Sequence, residues 1–176
     1  MASHYNRGKL VVIYMNSLVK AFVDLCLFRI GPQDLPTSAW LRNLTLLLYF
    51  CLGATLSMTV ESVEDSLLAA ILDTLFLALL VMVPLQLIGK ASRINQTLTA
   101  IYGSGTLFNL AITPLAIIYF AADEQAGPLL STSIAMIGLW NLAVLGNILR
   151  HALNLPLIAG IAIAITYLAV SSQLTH

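Results

Sequence analysis

Five apolar stretches, at about 41–60, 67–89, 95–120, 129–149 and 153–172, constrain this chain more than anything else in it. Each is near the roughly 20 residues that a helix needs to cross a hydrocarbon core of about 30 Å. Inside a bilayer every backbone N–H and C=O must be paired within the structure, so such runs fold as helices. Composition agrees. Only 9% of the residues are charged and 59% are hydrophobic, against about 25% charged in an average soluble domain. Too few charges remain to cover a water-facing surface. The expectation is an all-α polytopic membrane bundle over residues 39–176, preceded by a segment over 1–38. Short connections make consecutive helices antiparallel neighbours. The third stretch is long and holds Pro114, so it should tilt or kink.

The N-terminal segment is different. Residues 1–9 are polar, and from Leu10 to Ile30 the apolar residues Val11, Met15, Leu18, Phe22 and Leu25 recur at helical spacing. Asn16, Lys20 and Asp24 form a polar stripe at i, i+4, with Lys20 and Asp24 spaced to pair. The pattern predicts an amphipathic helix in the membrane interface, apolar face towards lipid. A sixth span is the alternative, and it would bury Lys20 and Asp24 in hydrocarbon at roughly 2.5–3.5 kcal/mol per central charge. These charges, and the lack of a small-residue cleavage site, argue against a cleaved signal peptide. Gly31, Pro32 and Pro36 end the helix, and Trp40 is the expected interfacial anchor.

Charge sorts the connections into two sides. Arg7, Lys9, Lys20, Arg29 and Arg42 precede or open the first span, Lys90 and Arg93 follow the second, and Arg150 follows the fourth; these are all 8 basic residues. The other loops carry Glu61, Glu64, Asp65, Asp123 and Glu124 and no Lys or Arg. By the positive-inside rule the basic side faces the cytoplasm, and an odd number of spans sends the C-terminus out.

Asp73 stands about six residues inside the second span, on nearly the same face as Ala69 and Ala70. An intramembrane carboxylate is a candidate proton or ion ligand; the plainer reading is a structural hydrogen bond, since the spans hold no basic partner for it. Asn109 in the third span and Asn141 in the fourth are the other polar candidates, with Asn147 nearer the basic side. Such amides ordinarily hydrogen-bond between helices, and Asp73 and Asn109 sit where adjacent helices would let them meet. Gly103, Gly105, Gly138, Gly160 and Ala164 mark places where backbones can approach closely.

Catalytic signatures are missing. Gly103-Ser104-Gly105 lacks the phosphate-loop pattern, and there is no G-x-S-x-G elbow. His4, His151 and His176 are scattered, so no metal site or cofactor is expected. Cys26 and Cys51 lie in apolar surroundings with no ligand spacing and should be buried, inert thiols. A formal net charge of zero gives no support for nucleic-acid binding.

Over roughly residues 10–172 the chain resembles the bacterial branch of the Yip-type family of five-span membrane proteins. The resemblance lies in Gly31-Pro32-Gln33-Asp34-Leu35-Pro36, in Gly89-Lys90-Ala91-Ser92-Arg93-Ile94-Asn95-Gln96-Thr97-Leu98, and in Leu139-Trp140-Asn141-Leu142 followed by Arg150. Eukaryotic relatives look like trafficking factors that bind small GTPases through a long N-terminal region with no counterpart here. The resemblance implies a non-enzymatic membrane protein. Absent catalytic chemistry, a compact bundle, an amphipathic cytoplasmic helix and little mass outside the membrane make the leading expectation a binding or assembly protein of the bacterial inner membrane, associated with lipids and with other membrane subunits or itself. Lys20, Arg29, Lys90, Arg93 and Arg150 would then face anionic headgroups or a cytoplasmic partner. A small transporter or channel component using Asp73 with Asn109 and Asn141 is the alternative.

Overall fold

The computed structural model describes residues 16–122 and 127–174, which are helical apart from short turns and hold no strand. Helix α1 covers 16–26; its expected start, with Val11 and Met15, lies outside the described residues, as do Arg7, Lys9, Asp123 and Glu124. A 3-10 turn at Pro32–Asp34 leads to α2 (Ala39–Ser57), α3 (Val63–Leu87), a second 3-10 turn at Ala91–Arg93, α4 (Ile94–Ala121), α5 (Pro128–Leu153) and α6 (Leu157–Leu174). Four of these helices, α2 to α5, are long and apolar enough to cross a membrane. The apolar helix α6 is shorter.

Helix ends follow local chemistry and move several expected boundaries. Ser38 starts α2 by accepting the Leu41 N–H at 3.3 Å. Ser62 accepts the Asp65 N–H at 3.2 Å and donates to the Asp65 carboxylate at 2.7 Å. Glu64 and Asp65 therefore belong to the first turn of α3 rather than to a loop, where the positive end of the helix dipole favours acids. Arg150 and His151 likewise stand in the last turn of α5. Asn154, left-handed at φ 59°, ends that helix, and Leu155 N–H closes onto the Arg150 carbonyl at 3.0 Å. Pro156 then delays α6 to Leu157. Both α3 and α4 continue as single helices through Pro84 and Pro114.

Consecutive helices are not always the closest neighbours. The most extensive contact joins α2 and α4. They run parallel: Arg42 reaches Asn95 at 2.5 Å, Tyr49 faces Gly105, and Gly53 faces Asn109. α5 packs on α6 and α4, whereas α3 divides its contacts among α2, α6 and α4. The core around α4 is buried without a break from Thr97 to Gly105. Tyr102, fully buried, donates its hydroxyl to the Thr74 carbonyl at 2.9 Å.

Small residues set the close approaches. A Cβ on Gly160 would stand 2.3 Å from the Gly146 carbonyl oxygen, and one on Gly146 would stand 3.0 Å from Ile161 Cα. Ala164 continues the Gly160 face and is fully buried. Gly103 receives the Phe22 ring and Gly105 the Tyr49 ring. Gly138 faces open space and makes no close approach.

Helix α1 departs from expectation in two respects. Phe22 and Leu25, expected to face lipid, are buried in the bundle core, so the apolar stripe is a protein contact. The Cys26 carbonyl accepts the Trp140 indole N–H at 3.0 Å. Asp24 pairs with Arg29 at 3.1 Å rather than with Lys20. Phe28 holds φ at 59° in the turn that ends α1, its ring edge-on to Trp140 at 5.5 Å. A left-handed non-glycine residue costs roughly 1–2 kcal/mol, which this ring contact and the α1 packing offset. Of the cysteines, Cys26 is buried as expected; Cys51 is exposed on the outer face of α2.

Candidate functional site

Asp73 projects from the middle of α3 and holds three helices together. Its Oδ2 accepts the Tyr49 hydroxyl of α2 at 2.5 Å. Its Oδ1 accepts the Ser171 hydroxyl of α6 at 2.7 Å and also the Tyr167 hydroxyl. Both carboxylate oxygens are thus engaged by donors from two other helices. Hydrogen bonds to a charged acceptor contribute about 1.5–3 kcal/mol each in water-soluble proteins; between membrane helices the average is about 0.6 kcal/mol.

The surrounding side chains position these donors. Gly105, lacking a Cβ, leaves room for the Tyr49 ring, whose edge lies 2.5 Å from where that Cβ would be. Tyr49 also packs on the Tyr102 ring at 5.4 Å between centroids. Tyr167 stacks on Phe76 of α3 at 5.6 Å. On α6, Gly160, Ala164, Tyr167 and Ser171 follow one another at spacings of four, three and four, which places them along one stripe. Gly160 of that stripe meets α5, and the hydroxyl pair meets α3.

Asp73 is the one polar candidate of the spans that gathers partners. Asn109 does not join it. Its amide nitrogen faces Gly53, 3.6 Å from where a Cβ would stand, one turn along α2 from Tyr49. Asn141 is partly exposed, and its side chain makes no hydrogen bond with the described residues. Tyr49, Tyr167 and Ser171 were not singled out from the sequence. For Tyr167 and Ser171 the signal was present: hydroxyls on the same helical stripe of α6 as Gly160 and Ala164.

The described basic residues collect at the end of the bundle opposite the α2–α3 turn. Arg42 is engaged by the amide oxygens of Asn95 and Asn43. Arg93 donates to the Asn154 amide oxygen at 3.1 Å. Gln96 donates to the Gln33 and Leu35 carbonyls at 3.2 and 2.8 Å, which fastens the Pro32–Asp34 turn onto the start of α4. Lys20 and Arg29 are exposed on and just after α1, and Lys90 is partly exposed before the second turn. No group of three or more His, Cys, Asp or Glu side chains able to hold a metal occurs among the described residues. No family model, curated protein or solved structure matches the chain.

Proposed function

We propose that this chain is a non-enzymatic, Yip-like membrane protein of the bacterial inner membrane, acting as a binding or assembly subunit that contacts lipid and other membrane subunits. In this reading α6 is the fifth span. Its 18 residues extend about 27 Å, close to the hydrocarbon thickness once a small local thinning is allowed. The N-terminus is cytoplasmic, because Arg42, Lys90, Arg93 and Arg150 share one end of the bundle.

One observation carries the reading. The carboxylate of Asp73 is committed to holding α2, α3 and α6 together. Transport through Asp73 would need further polar groups in line with it, and Asn109 and Asn141 stand elsewhere. Helix α1 fits an interfacial position. Its Val19 and Val23 are exposed beside the polar residues Asn16, Lys20 and Asp24, while Phe22 faces protein. Phe22 meets α4 at Gly103, about 13 Å from the start of that helix. The 28 residues of α4 extend about 42 Å, so with α4 centred on a core of about 30 Å, Phe22 lies roughly 7 Å below the boundary. Amphipathic interfacial helices bury to about 5–10 Å.

The experiment is purification in mild detergent at native expression level. A reproducible larger membrane complex is expected; recovery of the chain always alone contradicts the assembly role. Ion or solute flux in proteoliposomes that is lost on Asp73→Asn would instead establish the transport reading.

A further inference from the structure

The basic end of the bundle contains a cleft of about 320 Å3 lined by Gln33, Arg93, Arg150, His151, Asn154 and Leu155. Three chain segments converge there: the Pro32–Asp34 turn, the start of α4 and the end of α5. We infer that this cleft is a binding site for the phosphate of an anionic phospholipid headgroup, an inference that rests on the cytoplasmic, lipid-facing placement of this end proposed above.

The cations at this end differ in what already occupies them. Arg29 is paired with Asp24, and Arg42 spends all three of its nitrogens on two amide oxygens. Arg93 spends one nitrogen on Asn154. Arg150 makes no side-chain hydrogen bond or ion pair with any described residue, although it is only partly exposed. The nearby acid, Asp34, is engaged by the Gly31 N–H at 2.8 Å and by Gln33 at 3.4 Å. Two guanidinium groups therefore line one concave surface without a carboxylate between them. Each carries five donors in a planar fork suited to phosphate oxygens.

The backbone adds to this. The 3-10 turn Ala91–Arg93 runs directly into α4, with the Arg93 N–H on the Lys90 carbonyl at 3.0 Å, which fixes the backbone that carries Arg93 into the cleft. The opposing negative end of α5 is blunted, because Leu155 N–H caps the Arg150 carbonyl. Gly160 lets α6 pack directly against Arg150, since a Cβ there would stand 3.0 Å from Arg150 Cβ. The cleft is wide enough for a whole headgroup, and Gln33, His151 and Asn154 supply donors for its remaining oxygens. A lipid source is favoured over a free ion because the cleft opens at the helix ends, where headgroups pack.

The test is native mass spectrometry of the full chain in neutral detergent, with phosphatidylglycerol, phosphatidylcholine or inorganic phosphate added separately. One tightly held phosphatidylglycerol per chain is expected, with phosphatidylcholine and inorganic phosphate held at least about tenfold more weakly. Arg93→Gln with Arg150→Gln should weaken phosphatidylglycerol by about a hundredfold, near tenfold for each lost charge-assisted contact. Arg42→Gln, which removes a cation from the same end but outside the cleft lining, should leave it unchanged. Should the glutamine pair fail to fold, Arg93→Lys with Arg150→Lys keeps the charge and removes the fork, and a several-fold loss is expected. Undiminished binding in either arginine pair overturns the site, and inorganic phosphate binding as tightly as the lipid overturns the lipid source. Failure to find a partner complex would sink the assembly role while leaving this lipid count untouched.

Discussion

At the basic end of the bundle α5 is buried continuously from Val144 to Leu149; at its other end, Ser131, Thr132, Ala135, Met136, Gly138 and Leu139 are exposed. One helix thus has two environments. Gly146 lies against Ile161, and Gly160 against the Gly146 carbonyl, so the basic-end half of α5 touches α6 backbone to backbone. The other half has a glycine too, Gly138, but a Cβ there would meet nothing within 4 Å. A small residue in a membrane helix is therefore a contact only where the facing helix is near enough to use it. Farther from the basic end, α2, α3 and α6 are joined by Asp73. Backbone proximity holds one half of the molecule, and a three-helix carboxylate clamp holds the other.

The sharpest break in this comparison comes from the two glycines of α5. Gly146→Leu, or Gly160→Leu, drives a side chain into backbone and should destabilise the bundle by about 3 kcal/mol or more. Gly138→Leu should change stability by no more than about 0.5 kcal/mol. Reversible unfolding in mixed micelles compares them directly, and similar losses for all three would erase the distinction between the halves.

Next in size is the clamp. Asp73→Leu strands three hydroxyls and should cost about 2–3 kcal/mol, while Tyr49→Phe or Tyr167→Phe should cost about 1 kcal/mol each. Gly105→Ala acts through the same site by pushing on the Tyr49 ring, and about 1–2 kcal/mol is expected. Gly53→Ala, with only a 3.6 Å contact to Asn109, should be near neutral.

The smallest effect concerns α1. Burial pushes the Cys26 thiol from 9.0 up to about 11. The folded state therefore favours the neutral thiol. Its stabilisation is complete below pH 9 and is lost as pH rises towards 11. Cys26 should accordingly alkylate slowly at pH 8, and Phe22→Ala, which loosens α1 from Gly103, should speed the reaction several-fold. Equal rates in both proteins would mean that α1 does not protect the thiol.

Several of these features could be read from residues alone because they are local. Helix length, apolar content and the sorting of Arg42, Arg93 and Arg150 from Glu61 and Glu64 need no knowledge of neighbours. Asp73 stood out for the same reason: an acid in an apolar run. Its partners did not, because they depend on which helices touch. Expecting consecutive helices to be neighbours pointed Asp73 at Asn109 of α4, whereas α4 gives its main face to α2, and α6 comes back to α3. The role of Phe22 was hidden similarly. A stripe of apolar residues looks the same whether lipid or Gly103 lies opposite, and only the packed structure separates the two.

The central claim is that Asp73 is a clamp between helices. A double-mutant cycle of Asp73→Asn and Tyr167→Phe, measured by reversible unfolding in a lipid-containing micelle, tests it most directly. The account predicts a coupling energy of about 0.5–1 kcal/mol between the two residues. Additive effects, with coupling indistinguishable from zero, would contradict it.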